Sequence, residues 1–288
     1  MLKTKAMLAG LKITGWTARK MDKNVTQEVH SQHNVDNDAG RYNKALLARH
    51  ALSDIQAASN AARQAHYSLT APWLDDGARI LPANLYMKYC EEMREHRKRF
   101  ETAVETFFDG YDTYVDQAQA RLGDMFDANE YPTMSQLQHK FTFETMIAPI
   151  PDGDDFRVDL SQDVIDTLAV DVENRTRDAL TATTQHVADK ISETVTRIAE
   201  RLKNYKPATA DAKASGMFRD SLIQNAHELV DILPDLNIAD DENMKAAIND
   251  LRNLTRFDAD RLRYDPIIRG TIATEADDIL AKIKGYQI

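Results

Sequence analysis

The sequence predicts a mainly α protein: a long antiparallel, coiled-coil-like helical hairpin with a small β-containing cap and a C-terminal bundle of shorter helices. Three observations carry that expectation. In 288 residues there are only 10 glycines and 8 prolines, so turns are few and elements long, which favours helices over a many-stranded sandwich. Two extended stretches, about 83–122 and 160–206, place apolar side chains three and four apart, the helical period. Two short stretches instead alternate as strands do, near residues 8–16 and 140–150.

The elements follow in order. In LKITGWTARK, Leu11 and Ile13 alternate with Lys12 and Thr14, so Leu8 to Trp16 reads as a short strand. Residues 20–40 are polar and rich in Asn and Asp, which predicts a loop with at most one helical turn. Leu47, Ala51, Ile55 and Ala58 step by four, four and three, predicting a helix from about Arg41 to His66. The stretch YSLTAPWLDDGARILPANLY is punctuated by Pro72, Gly77 and Pro82 and carries Trp73, Leu74, Ile80 and Leu81, the pattern of a packed loop. Pro82 is placed to start the next helix.

That helix runs from about Ala83 to Leu122. Leu85, Tyr89, Met93, His96, Phe100, Ala103, Phe107, Gly110, Tyr114 and Ala118 form one stripe, and roughly forty residues at about 1.5 Å each span about 60 Å. Its aromatic residues are expected in the core. Phe107 and Phe108, being adjacent, are expected to face different partners. Tyr131-Pro132 breaks the pattern, and FTFETMIAPIP alternates Phe141, Phe143, Thr145 and Ile147 against Thr142, Glu144 and Met146. Phe156–Val158 is expected as a further short strand, and residues 8–16 as the partner of 140–150 in a small sheet. The second long helix, about Leu160 to Lys206, opens with Asp159 and Gln162 at capping-box spacing. The expected organisation is therefore residues 1–206 as the hairpin with its small α/β insert, 207–216 as a linker, and 217–288 as shorter helices. These are expected near 218–233, 240–255, 256–264 and 271–284, separated by Pro234, Pro266 and Gly270.

Charge and composition bound the function. The net charge is -10, so the overall field draws the chain neither to nucleic acid nor to an anionic membrane. The charge is uneven. Residues 1–50 hold nine basic and four acidic side chains, a local +5 that leaves the rest at -15. A single cysteine, Cys90, permits no intrachain disulfide and fits a reducing compartment; beside an apolar stripe it reads as an inert thiol. The N-terminal apolar run is broken at Gly10 and Lys12, too short for a signal segment, and no run approaches the ~20 apolar residues of a membrane span. The expected location is the cytoplasm.

Motifs of catalysis are missing from the sequence: no G-x-x-x-x-G-K-S/T phosphate loop, no G-x-G-x-x-G and no G-x-S-x-G. No catalytic residue, cofactor or metal is therefore expected. His30 and His33 stand as H-x-x-H, but a closed site needs further ligands. Glu92 and His96 lack the paired Glu-x-x-His of a di-iron bundle, position 93 being methionine. DGDD, 152–155, lacks the order of a calcium loop and reads as a solvated turn. What remains is basic. Arg94, Arg97, Lys98 and Arg99 lie in EEMREHRKRFE among Glu91, Glu95 and Glu101, where ion pairing on a solvated helix face is the first expectation. With Lys12, Arg19 and Lys20 they are also the candidate contacts for nucleic acid or another anion, whose binding would fall steeply with salt.

The strand LKITGWTARK, the alanine-rich helix, the segment containing GARILP before a long helix, and the FTF strand before the second long helix together resemble a bacterial, phage and mobile-element family of unknown function. The resemblance covers roughly residues 8–205. It implies a gene neighbourhood of MoxR-type AAA ATPases, CobT-like von Willebrand factor A proteins and recombination genes, hence such partners in a bacterial host cell, and no catalytic residues. Three roles are expected in turn: a non-enzymatic accessory or adaptor protein of a phage or mobile element, an oligomeric virion component, and a direct nucleic-acid binder.

Overall fold

The structure is a computed structural model that describes residues 2–73, 77–152, 161–208, 215–216 and 218–286. It is mainly helical with a small antiparallel sheet. A single helical turn, α1 (Leu2–Lys5), leads into β1 (Ala6–Thr14). After a turn in which Ala18 takes the left-handed conformation (φ 48°), β2 (Arg19–Met21) begins. Residues 20–40 differ from expectation. They hold the helix α2 (Lys23–His33), started by Asp22, whose carboxylate accepts from Val25 N, and ended by Asn34 in the left-handed conformation. Its polar sequence hides a helix made by its caps rather than by an apolar stripe.

The next helix starts later than Arg41. Asn43–Ala45 form β3, paired antiparallel with β2, Lys20 opposite Lys44, and a 3₁₀ turn at Arg49–Leu52 precedes α3 (Ser53–Leu69). Pairing with a distant strand therefore claims residues that local periodicity gave to the helix. The GARILP segment is likewise more than a loop. Strands β4 (Ala71–Pro72) and β5 (Ala78–Pro82) pair with each other, and β5 runs antiparallel to β1 from Ala6 opposite Pro82 to Gly10 opposite Ala78. Trp73, Ile80 and Leu81 are buried as expected; Leu74 lies outside the described residues.

Helix α4 (Tyr86–Leu122) follows the turn after Pro82. Then come α5 (Met134–Gln138), opened by a capping box of Thr133 and Gln136, and β6 (Thr142–Ala148). The sheet order is β4-β5-β1-β6, so the two alternating stretches of the sequence are neighbours, as expected. The expected strand at 156–158, the Asp159 cap and most of DGDD lie outside the described residues; Asp152 pairs with Lys3.

Helix α6 (Gln162–Asn204) is the second long helix, and Lys206 and Ser215 beyond it exchange both backbone hydrogen bonds. The last helices are α7 (Asp220–Leu236), α8 (Glu242–Leu254), α9 (Ala259–Tyr264) and α10 (Pro266–Ile283). Two prolines expected as separators lie within helices instead. Pro234 sits in the last turn of α7, and Pro266 opens α10, where its missing N–H costs nothing.

The chain divides into two compact units, each discontinuous in sequence, so no single cut near residues 207–216 separates them. The first comprises residues 1–10, 67–87 and 146–288. Here α6 lies along α10 and also packs on α7, α8 and β4. Its buried stripe is Val187, Ile191, Val195, Ile198 and Leu202. Beside it Leu8, Trp73, Ile80, Ile150 and Ala179 form a further core.

The second unit comprises residues 11–66 and 88–145. Its centre is aromatic: Phe107 meets Phe108, Tyr111, Tyr114 and Phe141 at ring separations of 5.7–6.0 Å. Phe107 and Phe108 do not face different partners. Both pack on Phe141, at 5.7 and 5.8 Å, and on each other at 5.9 Å, so the three rings form one cluster. Tyr89 is buried and meets His66 Nδ1 at 2.9 Å; burial pushes its phenol up to about 12.

Candidate functional site

LKITGWTARK forms one wall of a cleft of about 460 Å³ in the second unit, and α3 forms the other. Strand β1 ends at Thr14, and Gly15–Ala18 turn the chain so that Trp16 stands half-buried with its edge on Tyr111, ring centroids 6.2 Å apart. From α3, Gln56, Asn60 and Arg63 face the cleft at spacings of four and three, a polar stripe beside the apolar one. Arg63 is held in place, with one Nη donating to the Ile13 carbonyl at 3.2 Å. Leu52, Ile55, Ile13 and Phe141 supply apolar floor.

Two arginines, Arg19 and Arg63, charge this cleft, and among the described residues no acidic side chain, histidine or cysteine lines it. Ser59 also lines it, and its hydroxyl donates to the Ile55 carbonyl at 2.7 Å. Among the described residues no base stands beside a hydroxyl there, and the lining groups named are binding groups. An aromatic face, two cations and two amides suit a ligand that combines a flat or apolar part with an anionic group.

The seven cations singled out in the sequence fall in different places. Arg19 lines the cleft. Lys20, next along the strand, points elsewhere and lies 3.7 Å from Glu130. Lys12 is exposed, 3.8 Å from Glu144. Arg97 lies over the Phe143 ring at 5.5 Å. Since neighbours on a strand face opposite sides, Glu144 with Lys12 is on one face of the sheet and Phe143 with Arg97 on the other. Lys12 and Arg97 therefore stand on opposite faces of the sheet. Arg94, Lys98 and Arg99 are exposed on α4 and make no ion pair among the described residues, so the expected pairing with Glu91 and Glu95 is not formed.

Sequence reasoning passed over the most buried charge. Lys44, 3 % exposed, lies 2.7 Å from Glu130 and 3.4 Å from Asp22 and donates to the Met125 carbonyl at 2.7 Å. Burial pushes its ammonium down, but the hydrogen bonds and charges of Glu130 and Asp22 outweigh it and the net shift is upward. Asp22 is held below the usual carboxylate range, first by the Val25 N–H, with Lys44 adding to it against burial. Nothing in NKA at 43–45 signals this network; the β2–β3 pairing creates it.

His30 places Nε2 2.9 Å from the Gly40 carbonyl and so serves the loop after α2. Cys90 is half-buried. His96 Nδ1 is buried without a partner, and burial, then the nearby Arg99, push its pKa down. No group of three or more metal-ligating side chains is gathered among the described residues, and no helix there is long and apolar enough to cross a membrane. No family model, no curated protein and no solved structure matches this chain.

Proposed function

We propose that the protein is a non-enzymatic helical accessory or adaptor protein of a phage or mobile element, working in the cytoplasm of a bacterial host. Its partners in this reading are a MoxR-type AAA ATPase and a von Willebrand factor A protein, or the machinery of DNA processing. Pairing of the two long helices as an antiparallel hairpin belongs to the same proposal. The observation that carries a binding role is the cleft at Trp16, which has two arginines and, among the described residues, no acid. It suits a partner segment with an apolar side chain for Trp16 and a carboxylate for Arg19 and Arg63.

The test is capture from host lysate on immobilised protein, with the bound proteins identified by mass. Wild type is expected to retain the ATPase or its von Willebrand partner. Trp16→Ala is expected to lose about 2 kcal/mol of binding, roughly 30-fold in affinity, as central aromatic anchors do, and Arg19→Glu to weaken capture in the same direction. Recovery of neither partner nor DNA overturns the proposal. A second reading, direct nucleic-acid contact, is favoured by the unpaired Arg94, Lys98 and Arg99; it requires a gel shift at low salt that weakens steeply as salt rises.

A further inference from the structure

In the first unit a cluster of cations stands without matching acids among the described residues. His186 and Lys190 are four residues apart on α6 and share a face. The adjoining Val187 and Ile191 are fully buried, and α6 packs on β4. Thr70 immediately precedes β4, and Pro72 within it pairs with Arg79 of β5. Arg79 is fixed from two sides. Its Nε donates to Thr70 Oγ1 at 2.7 Å and one Nη to the Thr70 carbonyl at 3.1 Å, and its guanidinium lies 4.9 Å from the centre of the Tyr67 ring. Its other Nη makes no hydrogen bond to a described residue.

The neighbouring groups are equally underused. Lys190, half-buried, forms no hydrogen bond or ion pair among the described residues. The acid that acts on it, Glu193, is bonded to Arg197 at 2.7 Å. His186 Nε2 is closed off from solvent and has no partner. Burial, then the charges of Lys190 and Arg79, push the His186 imidazole down to about 4, with the Thr70 backbone pulling the other way. Burial, then Arg79, lowers Lys190. Burial lowers Arg79 also. Each of these groups is one that a bound anion would relieve.

We propose that Arg79, His186 and Lys190 form a binding site for a phosphoryl group, carried as free phosphate or as a phosphate monoester. A tetrahedral dianion offers acceptors to the spare guanidinium N–H groups, to the ammonium and to a protonated imidazole at once. Binding is then coupled to proton uptake at His186. The site is separate from the Trp16 cleft and does not depend on the adaptor reading.

The full chain is melted and titrated in sodium phosphate, in glycerol phosphate and in sodium chloride of equal ionic strength. Phosphate or the monoester is expected to raise Tm by several degrees over chloride. In proton NMR, with the His186 signal assigned by its loss in His186→Gln, the bound anion is expected to raise the His186 pKa by about one unit or more. A response to both anions assigns a site for the phosphoryl group itself; a response to one alone assigns that source. Lys190→Met is expected to melt higher than wild type in chloride, because an unpaired half-buried charge is gone, yet to lose the phosphate increment. Arg79→Gln should lose it too; if that variant fails to fold, Lys190→Met decides. Equal melting in all three salts, or a full phosphate increment in Lys190→Met, overturns the proposal.

Discussion

Lys44→Ala is expected to destabilise the unit that contains it by about 3–5 kcal/mol, the cost of removing one partner from a buried charge network. The ammonium lies against Glu130 and Asp22 and donates to the Met125 carbonyl. Without it the carbonyl and Asp22 lose their ammonium, and Glu130 keeps only the exposed Lys20, 3.7 Å away. Urea unfolding followed by far-UV circular dichroism measures the loss. Its pH dependence identifies the cause. Asp22 has a depressed folded pKa, so its contribution is present above the unfolded value of about 4 and is lost as pH falls through the folded one. Lys44 has a raised folded pKa, so its contribution is present below about 10 and lost as pH rises through the folded value. The gap between wild type and variant should therefore be widest between about pH 4 and pH 10 and narrow outside that window. A gap that stays constant into acid would assign the loss to packing of the lysine stem instead.

Phe107→Ala should cost a similar amount, about 3–5 kcal/mol, for a different reason. Phe107 is 2 % exposed and touches four other rings. Truncation removes its buried area and leaves a cavity walled by large rings whose rotamers cannot easily close it. Phe107→Leu keeps most of the volume and should cost markedly less. Unlike the Lys44 variant, neither should change its penalty with pH. The near-ultraviolet circular dichroism of this aromatic group should collapse in the alanine variant. Retention of wild-type stability would remove Phe107 from the centre of the core.

The long helices were legible because they are local. The stripe from Leu85 to Ala118 repeats every three or four residues, and α4 buries much of it, with Val104 and Tyr111 buried where the stripe named Ala103 and Gly110. β1 and β6 were legible for the same reason, since alternation is a local signal, and their adjacency followed from there being few other strand-like stretches. β5 was missed because ARILP, with three apolar residues against one charge, does not alternate. It is a strand because β1 lies alongside it. α2 was missed because its helix rests on Asp22 and Asn34 at its ends.

The candidate site was legible only in part. Trp16 and Arg19 stood out as types in an unusual setting. Gln56, Asn60 and Arg63 did not, although their spacing is that of the Ile55 stripe turned by one residue. Lys12 was grouped with the helical cations by its charge, and the strand's alternation sets it on the opposite face from Arg97.

By itself, then, the sequence determined the periodic elements, the lack of recognised catalytic motifs and the aromatic character of the α4 core, all of which depend on residue type and near spacing. Only the tertiary structure decided that residues 43–45 leave the helix for a strand pair, that Lys44 is buried between Asp22 and Glu130, and that His186 and Lys190 come to lie with Arg79. Those pairings join residues from about twenty to more than a hundred positions apart. Their energies come from desolvation and charge at close range, and no local pattern along the chain records which distant partner will be there.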